Sequence, residues 1–359
     1  MATMTTAFYE ALEKGAAGER LSFEEGLALL EGKDLAALGA AADEVRARKH
    51  PEGIVSYCID RNINYTNVCD VYCTFCAFYR PPGDHPESYI RTKDEIREKL
   101  DELYAVGGKQ ILLQGGHHPD LRIEWYEDLF RWMKIEYPDL HLHALSPPEI
   151  HHISKLEDMP YERVITRLRA AGLDSIPGGG GEILVGRVRQ KIARLKVDAD
   201  GWLDVMRQAH RIGLRSSATM MFGHVETPAE RIEHLERLRA LQDETGGFTA
   251  FICWTFQNDG AAALKAQTVG SSEYLRTLAI SRLYLDNIDN VQSSWVTQGM
   301  KVGELSLRFG ANDMGSTMLE ENVVSSAGTV HCMNEADLHR MARAAGFEPR
   351  RRNFFYELI

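Results

Sequence analysis

From about residue 50 onward, short apolar runs that end in Gly, Ser or Pro alternate with longer amphipathic stretches. This alternation is typical of repeated strand and helix units, which build a parallel sheet. The pattern predicts eight strands, at Ile54–Ile63, Gln110–Leu113, Leu140–Leu145, Ser175–Ile176, Ser216–Phe222, Ala250–Trp254, Val291–Trp295 and Phe309–Asn312.

The amphipathic stretches predict crossover helices, each long enough to return right-handedly to the sheet. They cover Lys93–Val106, Trp125–Glu136, Tyr161–Ala171, Gly201–Ile212, Pro228–Glu244 and Ser272–Ile288, with a shorter crossover around Lys301–Leu307. The predicted fold is an α/β (β/α)8-type TIM barrel, in which chemistry takes place at the carboxyl ends of the strands. We expect residues 1–50 to form a helical N-terminal segment, 51–315 the barrel, and 316–359 a C-terminal extension that packs on it.

Charge and composition limit the possible partners. A net charge of -11 and a pI near 5.7 disfavour nucleic acid, because phosphate backbones require clustered Lys and Arg. Residues 1–14 lack the pattern of a secretory signal, and no run of about eighteen apolar residues occurs. We therefore expect a cytoplasmic protein without a membrane partner, whose cysteines stay reduced and available as ligands.

Three cysteines, Cys69, Cys73 and Cys76, follow the first predicted strand with the spacing CxxxCxxC. Three ligands leave one iron of a [4Fe-4S] cluster open for chemistry, whereas electron-transfer clusters normally use four cysteines. The spacing alone also allows a structural zinc site completed by a distant ligand. The scattered Cys58, Cys253 and Cys332 are expected to be packing residues.

The cysteine spacing, with the aromatic Phe75 before the last cysteine, resembles the radical S-adenosylmethionine (SAM) superfamily. Residues 114–119 resemble the Gly-Gly turn of that superfamily, and residues 219–226 partly resemble its GxIxGxxE element. The resemblance implies a [4Fe-4S] cluster on the three cysteines and SAM on the open iron. The implied SAM contacts are Phe75, Gly115, Gly116, Ser146, Glu149, Glu182, Thr219 and Glu226, of which Ser146, Glu149 and Glu182 could equally cap helices.

Longer stretches narrow the resemblance to the enzymes that make menaquinone through futalosine, together with the tyrosine-cleaving deazaflavin synthases. Residues 114–119, 146–149 and 293–299 are most similar to the cyclase family of that group. This resemblance implies that a 5'-deoxyadenosyl radical abstracts the C4' hydrogen of dehypoxanthine futalosine, whose sugar radical then attacks its benzoate ring. It also implies a low-potential electron donor such as flavodoxin or ferredoxin.

This reaction releases a proton and binds a carboxylate. Candidate proton acceptors at predicted strand ends are His117, His118, His224 and Glu226, and no spacing chooses among them. Candidate contacts for the benzoate carboxylate are Arg80, Asn312, Ser316 and Thr317, although Arg80 could equally pair with a nearby acid.

Three alternatives stay open. Aminofutalosine synthase would add the adenosyl radical to its substrate, and a tyrosine-cleaving deazaflavin synthase would act on tyrosine. The third alternative is a non-enzymatic iron-sulfur or zinc module. Such a module would need a fourth ligand and has no use for Gly115, Gly116 and Glu226 at successive strand ends.

Overall fold

The computed structural model describes residues 2–258, 260, 262–328 and 331–359. The N-terminal segment is helical, as expected, and consists of α1 (Ala2–Ala17), α2 (Phe23–Glu31) and α3 (Leu35–Lys49). Helix α2 begins with a capping box, in which Ser22 and Glu25 each accept the other's backbone N–H through their side chains. A Cβ on Gly26 would lie 2.7 Å from the Tyr284 ring, so α2 packs directly against the later helix that carries this tyrosine.

Ten strands form one sheet in which every described strand pair is parallel. They are β1 (Ile54–Cys58), β2 (Asp60–Asn64), β3 (Gln110–Gln114), β4 (His141–Ala144), β5 (Ser175–Ile176), β6 (Arg215–Phe222), β7 (Phe248–Thr255), β8 (Asn290–Gln292), β9 (Asp313–Ser316) and β10 (Glu348–Arg351). Their order is β10-β1-β9-β8-β7-β6-β5-β4-β3-β2. The predicted α/β class is confirmed.

Helices cover the outside of this sheet, as a parallel sheet requires. They are α4 (Lys93–Ala105), α5 (Ile123–Glu136), α6 (Pro147–Glu157), α7 (Tyr161–Ala171), α8 (Gly186–Ile192), α9 (Ala199–Arg211), α10 (Pro228–Thr245), α11 (Ser271–Tyr284), α12 (Trp295–Gln298), α13 (Met300–Ser306) and α14 (Glu335–Ala344). The six long predicted crossovers are all present. Within the described ranges, no helix is both long and apolar enough to cross a membrane.

The predicted strand Ile54–Ile63 is wrong in one respect, because it consists of two strands. Strand β1 pairs with β9 and β10, whereas β2 pairs with β3 at the opposite edge of the sheet. Only Ile59 separates β1 from β2. The sheet must therefore curl until β9 and β3 flank the same stretch of chain, which gives a curled, barrel-like wall.

The last part of the sheet also differs from the prediction. Phe309–Asn312 is not a strand, and β9 begins only at Asp313. Phe309 instead packs against α3, where a Cβ on Gly39 would lie 2.6 Å from its ring. The predicted strand Val291–Trp295 divides into β8 and α12. Strand β10 was not predicted, because its sequence Glu-Pro-Arg-Arg carries no apolar pattern.

The chain after β10 covers the amino-terminal end of the curled sheet. Arg352 donates two hydrogen bonds to Asp313 of β9, at 2.5 and 2.8 Å. The Phe354 ring lies 4.7 Å from His141 and 4.5 Å from His143 of β4, measured between ring centres. The cavity inside the sheet is thereby bounded on the side opposite the carboxyl ends. The domain boundaries at residues 50 and 315 stay predictions.

Candidate active site

A cavity of about 440 Å³ lies inside the curled sheet. Inward side chains of the strands form its wall, and the cysteine loop and the glycines after β3 and β5 form its rim at the carboxyl ends. This volume falls within the roughly 300–1,000 Å³ that is common for small-molecule sites.

All three cysteines of the loop after β2 line this cavity. Backbone hydrogen bonds hold the loop on two sides, because the Cys69 N–H donates to the Arg80 carbonyl and the Thr74 N–H to the Ile192 carbonyl, both at 2.9 Å. The fold of the loop therefore does not depend on its thiols, which remain available as ligands.

The thiols fit an iron-sulfur cluster better than a zinc ion. Among the described residues, one group of metal-ligating atoms lies within 4.8 Å of one another, Asp70 with His117 and His152, and it contains no cysteine. Tetrahedral zinc would hold sulfurs about 3.8 Å apart, since Zn–S bonds are about 2.3 Å. Burial raises the pKa of Cys69 and raises that of Cys73 to about 12, so their thiolates require nearby positive charge. The metal ions of either centre supply that charge, so the separation of the sulfurs is what favours the cluster.

Two glycines bring the end of β3 against the cysteine loop. A Cβ on Gly116 would lie 2.1 Å from the Val68 carbonyl oxygen and 2.9 Å from the Cys69 Cβ. A Cβ on Gly115 would lie 2.6 Å from the Tyr65 ring. Only glycine allows this close approach, and both residues line the cavity.

Glu149 is already occupied by hydrogen bonds from the protein. Its Oε1 accepts the Tyr65 hydroxyl at 2.8 Å and the Gly115 N–H at 2.9 Å. Its Oε2 accepts the Ser146 N–H at 2.7 Å and hydroxyl at 2.6 Å, which forms the capping box of α6. Burial raises the pKa of Glu149. Ser146 and Glu149 line the cavity, and their visible task is to fix the Gly115 turn.

Glu182 has one oxygen that accepts no hydrogen bond from the protein. Its Oε1 accepts from the Lys196 Nζ at 3.0 Å, whereas its buried Oε2 accepts no hydrogen bond and lies 3.6 Å from the Arg189 Nη1 as an ion pair. The Lys196 ammonium lies 5.3 Å from the centre of the Phe75 ring. Burial lowers the pKa of Lys196, but the negative charges of Glu182 and Cys73 outweigh it and raise the pKa above its usual value. The wall beside the cysteine loop can therefore bind a zwitterionic group.

Of the predicted catalytic residues, His117 alone lines the cavity. Burial lowers its pKa well below the usual value, so the imidazole is neutral at physiological pH. His118 is directed into its own turn, where its Nδ1 accepts the Asp120 N–H at 3.1 Å.

His224 and Glu226 form the turn after β6 and are not part of the cavity wall. Glu226 accepts from the Gly223 N–H at 2.6 Å, the His224 N–H at 3.0 Å and the Arg231 Nε at 2.8 Å. Thr219 of β6 does line the cavity. The partial superfamily element, residues 219–226, thus places Thr219 and Met221 at the cavity, and its carboxylate holds the turn.

Ser316 is the predicted substrate contact that lines the cavity, and its hydroxyl accepts the Asp60 N–H at 3.1 Å. Arg80 lies outside the cavity wall, pairs with Glu87 and donates to the Tyr79 carbonyl at 3.0 Å. Arg80 therefore supports the cysteine loop. Its ion pair with Glu87 matches the second interpretation of the sequence, in which Arg80 pairs with a nearby acid.

Asn312 and Thr317 also lie outside the cavity wall. Asn312 accepts from the Arg282 guanidinium at 2.5 Å and from the Val291 N–H at 2.9 Å, which ties α11 to β8. The Thr317 N–H donates to the Cys58 carbonyl at 3.2 Å. Both residues support the sheet.

Sequence reasoning missed Lys196 and the inward residues of β2, Asp60 and Asn62, which all line the cavity. Lys196 lies in a loop after α8, where no local pattern marks it. In β2, polar residues alternate as Asp-x-Asn-x-Asn, which places them on one face of the strand. Inside a barrel, that alternation could have indicated a polar wall.

Comparisons with known proteins agree with this fold. The "Radical SAM superfamily" profile matches residues 63–238, and the "CofH/MqnC C-terminal region" profile matches residues 245–359. The solved structure of methylornithine synthase (PylB) superposes with a TM-score of 0.73 at 19% identity, over 94% of this chain and 97% of that one. For the [FeFe]-hydrogenase maturase HydG the TM-score is 0.74 at 14% identity, over 98% of this chain and 77% of that one.

Relatives of higher identity cover nearly the whole chain. Cyclic dehypoxanthine futalosine synthase of Halalkalibacterium halodurans is 47% identical over 97% of this chain and 94% of the relative. Cyclic dehypoxanthine futalosine synthase of Streptomyces coelicolor is 48% identical over 96% of this chain and 87% of the relative. Aminodeoxyfutalosine synthase of Thermus thermophilus is 42% identical over 97% of this chain and 94% of the relative.

Fold, cysteine loop and profile matches together define a radical SAM enzyme, which uses a [4Fe-4S] cluster and SAM. Within that superfamily, the chain belongs to the CofH/MqnC family.

Proposed function

We propose that this enzyme converts dehypoxanthine futalosine to cyclic dehypoxanthine futalosine in menaquinone biosynthesis. The observation that carries the proposal is the 47–48% identity, over nearly the full chain, to two relatives named for this product. The aminodeoxyfutalosine synthase is less similar, at 42%. A low-potential electron donor such as flavodoxin or ferredoxin is part of the proposal.

Different residues at the cavity rim would bind the cluster and SAM. Cys69, Cys73 and Cys76 would hold the cluster, which when bound supplies the electron that cleaves SAM to methionine and a 5'-deoxyadenosyl radical. Lys196 and Glu182 carry opposite charges beside this loop, and they suit the carboxylate and ammonium of SAM's methionine end.

Other rim residues would position SAM. The carbonyl groups of Gly115 and Gly116 can accept hydrogen bonds from its ammonium, and Phe75 and Thr219 provide an apolar face and a hydroxyl on the cavity wall. We assign Glu149 and Glu226 to positioning of the two turns, because their oxygens already accept several N–H groups of the protein. The enclosing wall keeps water from the reacting carbons and holds them close together.

The test supplies the reconstituted enzyme with dehypoxanthine futalosine, SAM and a reductant. With deuterium at the sugar C4' position, we expect deuterium in 5'-deoxyadenosine and a product two hydrogens lighter than the substrate. An adduct that retains the adenosyl group would instead indicate the aminodeoxyfutalosine synthase reaction and contradict the proposal. Absence of product alongside normal SAM cleavage would also contradict it.

A further inference from the structure

The deep part of the cavity carries two polar side chains whose acceptors have no protein partner. Asp60 and Asn62 of β2 are 9% and 6% exposed, and both line the cavity. The Oδ1 atom of each is buried and accepts no hydrogen bond. A buried acceptor without a donor costs about 1–3 kcal/mol, so this arrangement persists at the expense of stability.

The neighbouring groups leave these acceptors free. Gln110 at 3.4 Å and the Cys58 thiol at 3.9 Å contact the other oxygen of Asp60, its Oδ2. The Ser316 hydroxyl lies beside the same carboxyl group, where it accepts the Asp60 N–H. Arg352, the cation nearby, donates to both oxygens of Asp313, at 2.5 and 2.8 Å, and is thereby occupied. Asn64, the next inward residue of β2, differs, because it donates to the Gln114 carbonyl and accepts from Asn322, both at 3.2 Å.

The position on the strand separates these acceptors from the rim. Asp60 begins β2 and Asn64 ends it, so Asp60 lies about 13 Å deeper at roughly 3.3 Å per residue. The cysteine loop follows Asn64 at the carboxyl end. A ligand that reaches Asp60 and Asn62 therefore extends away from the cluster end of the cavity.

We propose that Asp60 and Asn62 form a subsite that accepts hydrogen bonds from hydroxyl groups of the substrate's sugar. This inference rests on the proposed function, whose substrate carries such hydroxyls. Two acceptors on one face of a strand, one of them a neutral amide, suit a ligand with several O–H donors. They would orient the sugar while its reacting carbon faces the rim.

The test replaces each acceptor by an apolar side chain of similar size, Asp60→Leu and Asn62→Leu, in the reconstituted holoenzyme. We expect the KM for dehypoxanthine futalosine and its Kd in equilibrium dialysis to rise at least tenfold. The Kd for SAM and the iron content should stay within twofold of the wild type. Because an unpaired acceptor is removed, the melting temperature of Asn62→Leu should stay equal or rise, whereas Asp60→Leu also takes the Oδ2 acceptor from Gln110.

Asn64→Leu is the matched control on the same strand. Its partners lie within the protein, so this substitution should lower the melting temperature. If Asn62→Leu lowered it equally while substrate affinity stayed unchanged, the residue would be structural and the subsite wrong. A rise in the Kd for SAM without a change for the substrate would likewise overturn the proposal.

Substrate analogues that each lack one sugar hydroxyl sharpen the assignment. At least one should bind the wild type tenfold more weakly than the full substrate, yet lose little further affinity in Asn62→Leu or Asp60→Leu. Equal losses in wild type and both variants would contradict the subsite. A wild type that binds the substrate but forms no cyclic product would contradict only the proposed reaction.

Discussion

The two ends of the cavity differ in how their acidic and amide groups are satisfied. At the carboxyl ends of the strands, Glu149 at the rim and Glu226 in the turn after β6 each accept several hydrogen bonds from the chain's own N–H groups. In the deep wall, Asp60 and Asn62 each keep one oxygen that accepts none. A polar residue at a strand end can thus serve to hold a turn, whereas an unsatisfied buried acceptor in a cavity wall points to a ligand.

Glu182 lies at the rim but resembles the deep wall in one respect, since its Oε2 accepts no hydrogen bond and has only the Arg189 guanidinium at 3.6 Å. Its partner Lys196 contacts the Phe75 ring beside the cysteine loop. Two kinds of acidic residue therefore occur at the carboxyl ends of the strands. Glu149 and Glu226 hold turns, whereas Glu182 lines the cavity beside Lys196.

The largest effect should come from the cysteine loop. Cys73→Ala removes one of three cluster ligands, and we expect loss of the cluster and of SAM cleavage. The fold should persist, because backbone hydrogen bonds hold the loop. Iron analysis, a SAM-cleavage assay and circular dichroism measure these outcomes. The prediction that Cys332 is a packing residue is wrong, because its thiol is exposed; Cys332→Ala is therefore the matched control and should behave as the wild type. A Cys73→Ala enzyme with full iron content would disprove the ligand assignment.

A second prediction concerns how the rim is built. Gly116→Ala would place a Cβ 2.1 Å from the Val68 carbonyl oxygen, and backbone cannot move aside cheaply. We expect the free energy of unfolding to fall by about 1–3 kcal/mol and most of the cluster to be lost. Gly186→Ala is the control, because nothing lies within 4 Å of its added Cβ. Normal cluster content in Gly116→Ala would show that the close approach is not required.

The sequence allowed prediction of the cysteine loop because its ligands are neighbours along the chain. The spacing of Cys69, Cys73 and Cys76 can be recognised in the sequence without knowledge of the rest of the fold. The crossover helices were predictable for a similar reason, since amphipathic spacing is a local signal. These features required no knowledge of which strands are adjacent.

The alternation Asp-x-Asn-x-Asn in β2 indicates a polar face, but the neighbours of that face were not predictable, because they depend on the break between β1 and β2. That break sends one strand to β9 and the other to β3, and no pattern in Ile54–Ile63 marks it. Strand β10 likewise takes its place through pairing with β1 and not through apolar residues of its own. Lys196 reaches the rim through a loop. Each depends on tertiary contacts that the hydrophobic pattern does not encode.

A third prediction tests the charged pair beside the cysteine loop. Lys196→Met removes the ammonium but keeps the length of the side chain. Losing one charge-assisted hydrogen bond costs about 1.5–3 kcal/mol, so the Kd for SAM should rise roughly tenfold to a hundredfold. Lys191→Met, on the exposed side of α8, should leave it unchanged. Unchanged SAM binding in Lys196→Met would remove this residue from the proposed site.

The smallest expected effect on SAM binding distinguishes the two kinds of acidic residue directly. Glu226→Gln and Glu182→Gln each replace one charged oxygen by an amide. Because Glu226 binds only protein groups, including the Arg231 Nε at 2.8 Å, its variant should lose about 1.5–3 kcal/mol of unfolding free energy. Its Kd for SAM should stay within about twofold of the wild type. Glu182→Gln should show the reverse, with weaker SAM binding and a smaller loss of stability. Denaturant unfolding and equilibrium dialysis measure the two quantities. If both variants lost SAM affinity equally, Glu226 would bind SAM, as the partial GxIxGxxE resemblance predicts, and the distinction between the two residues would fail.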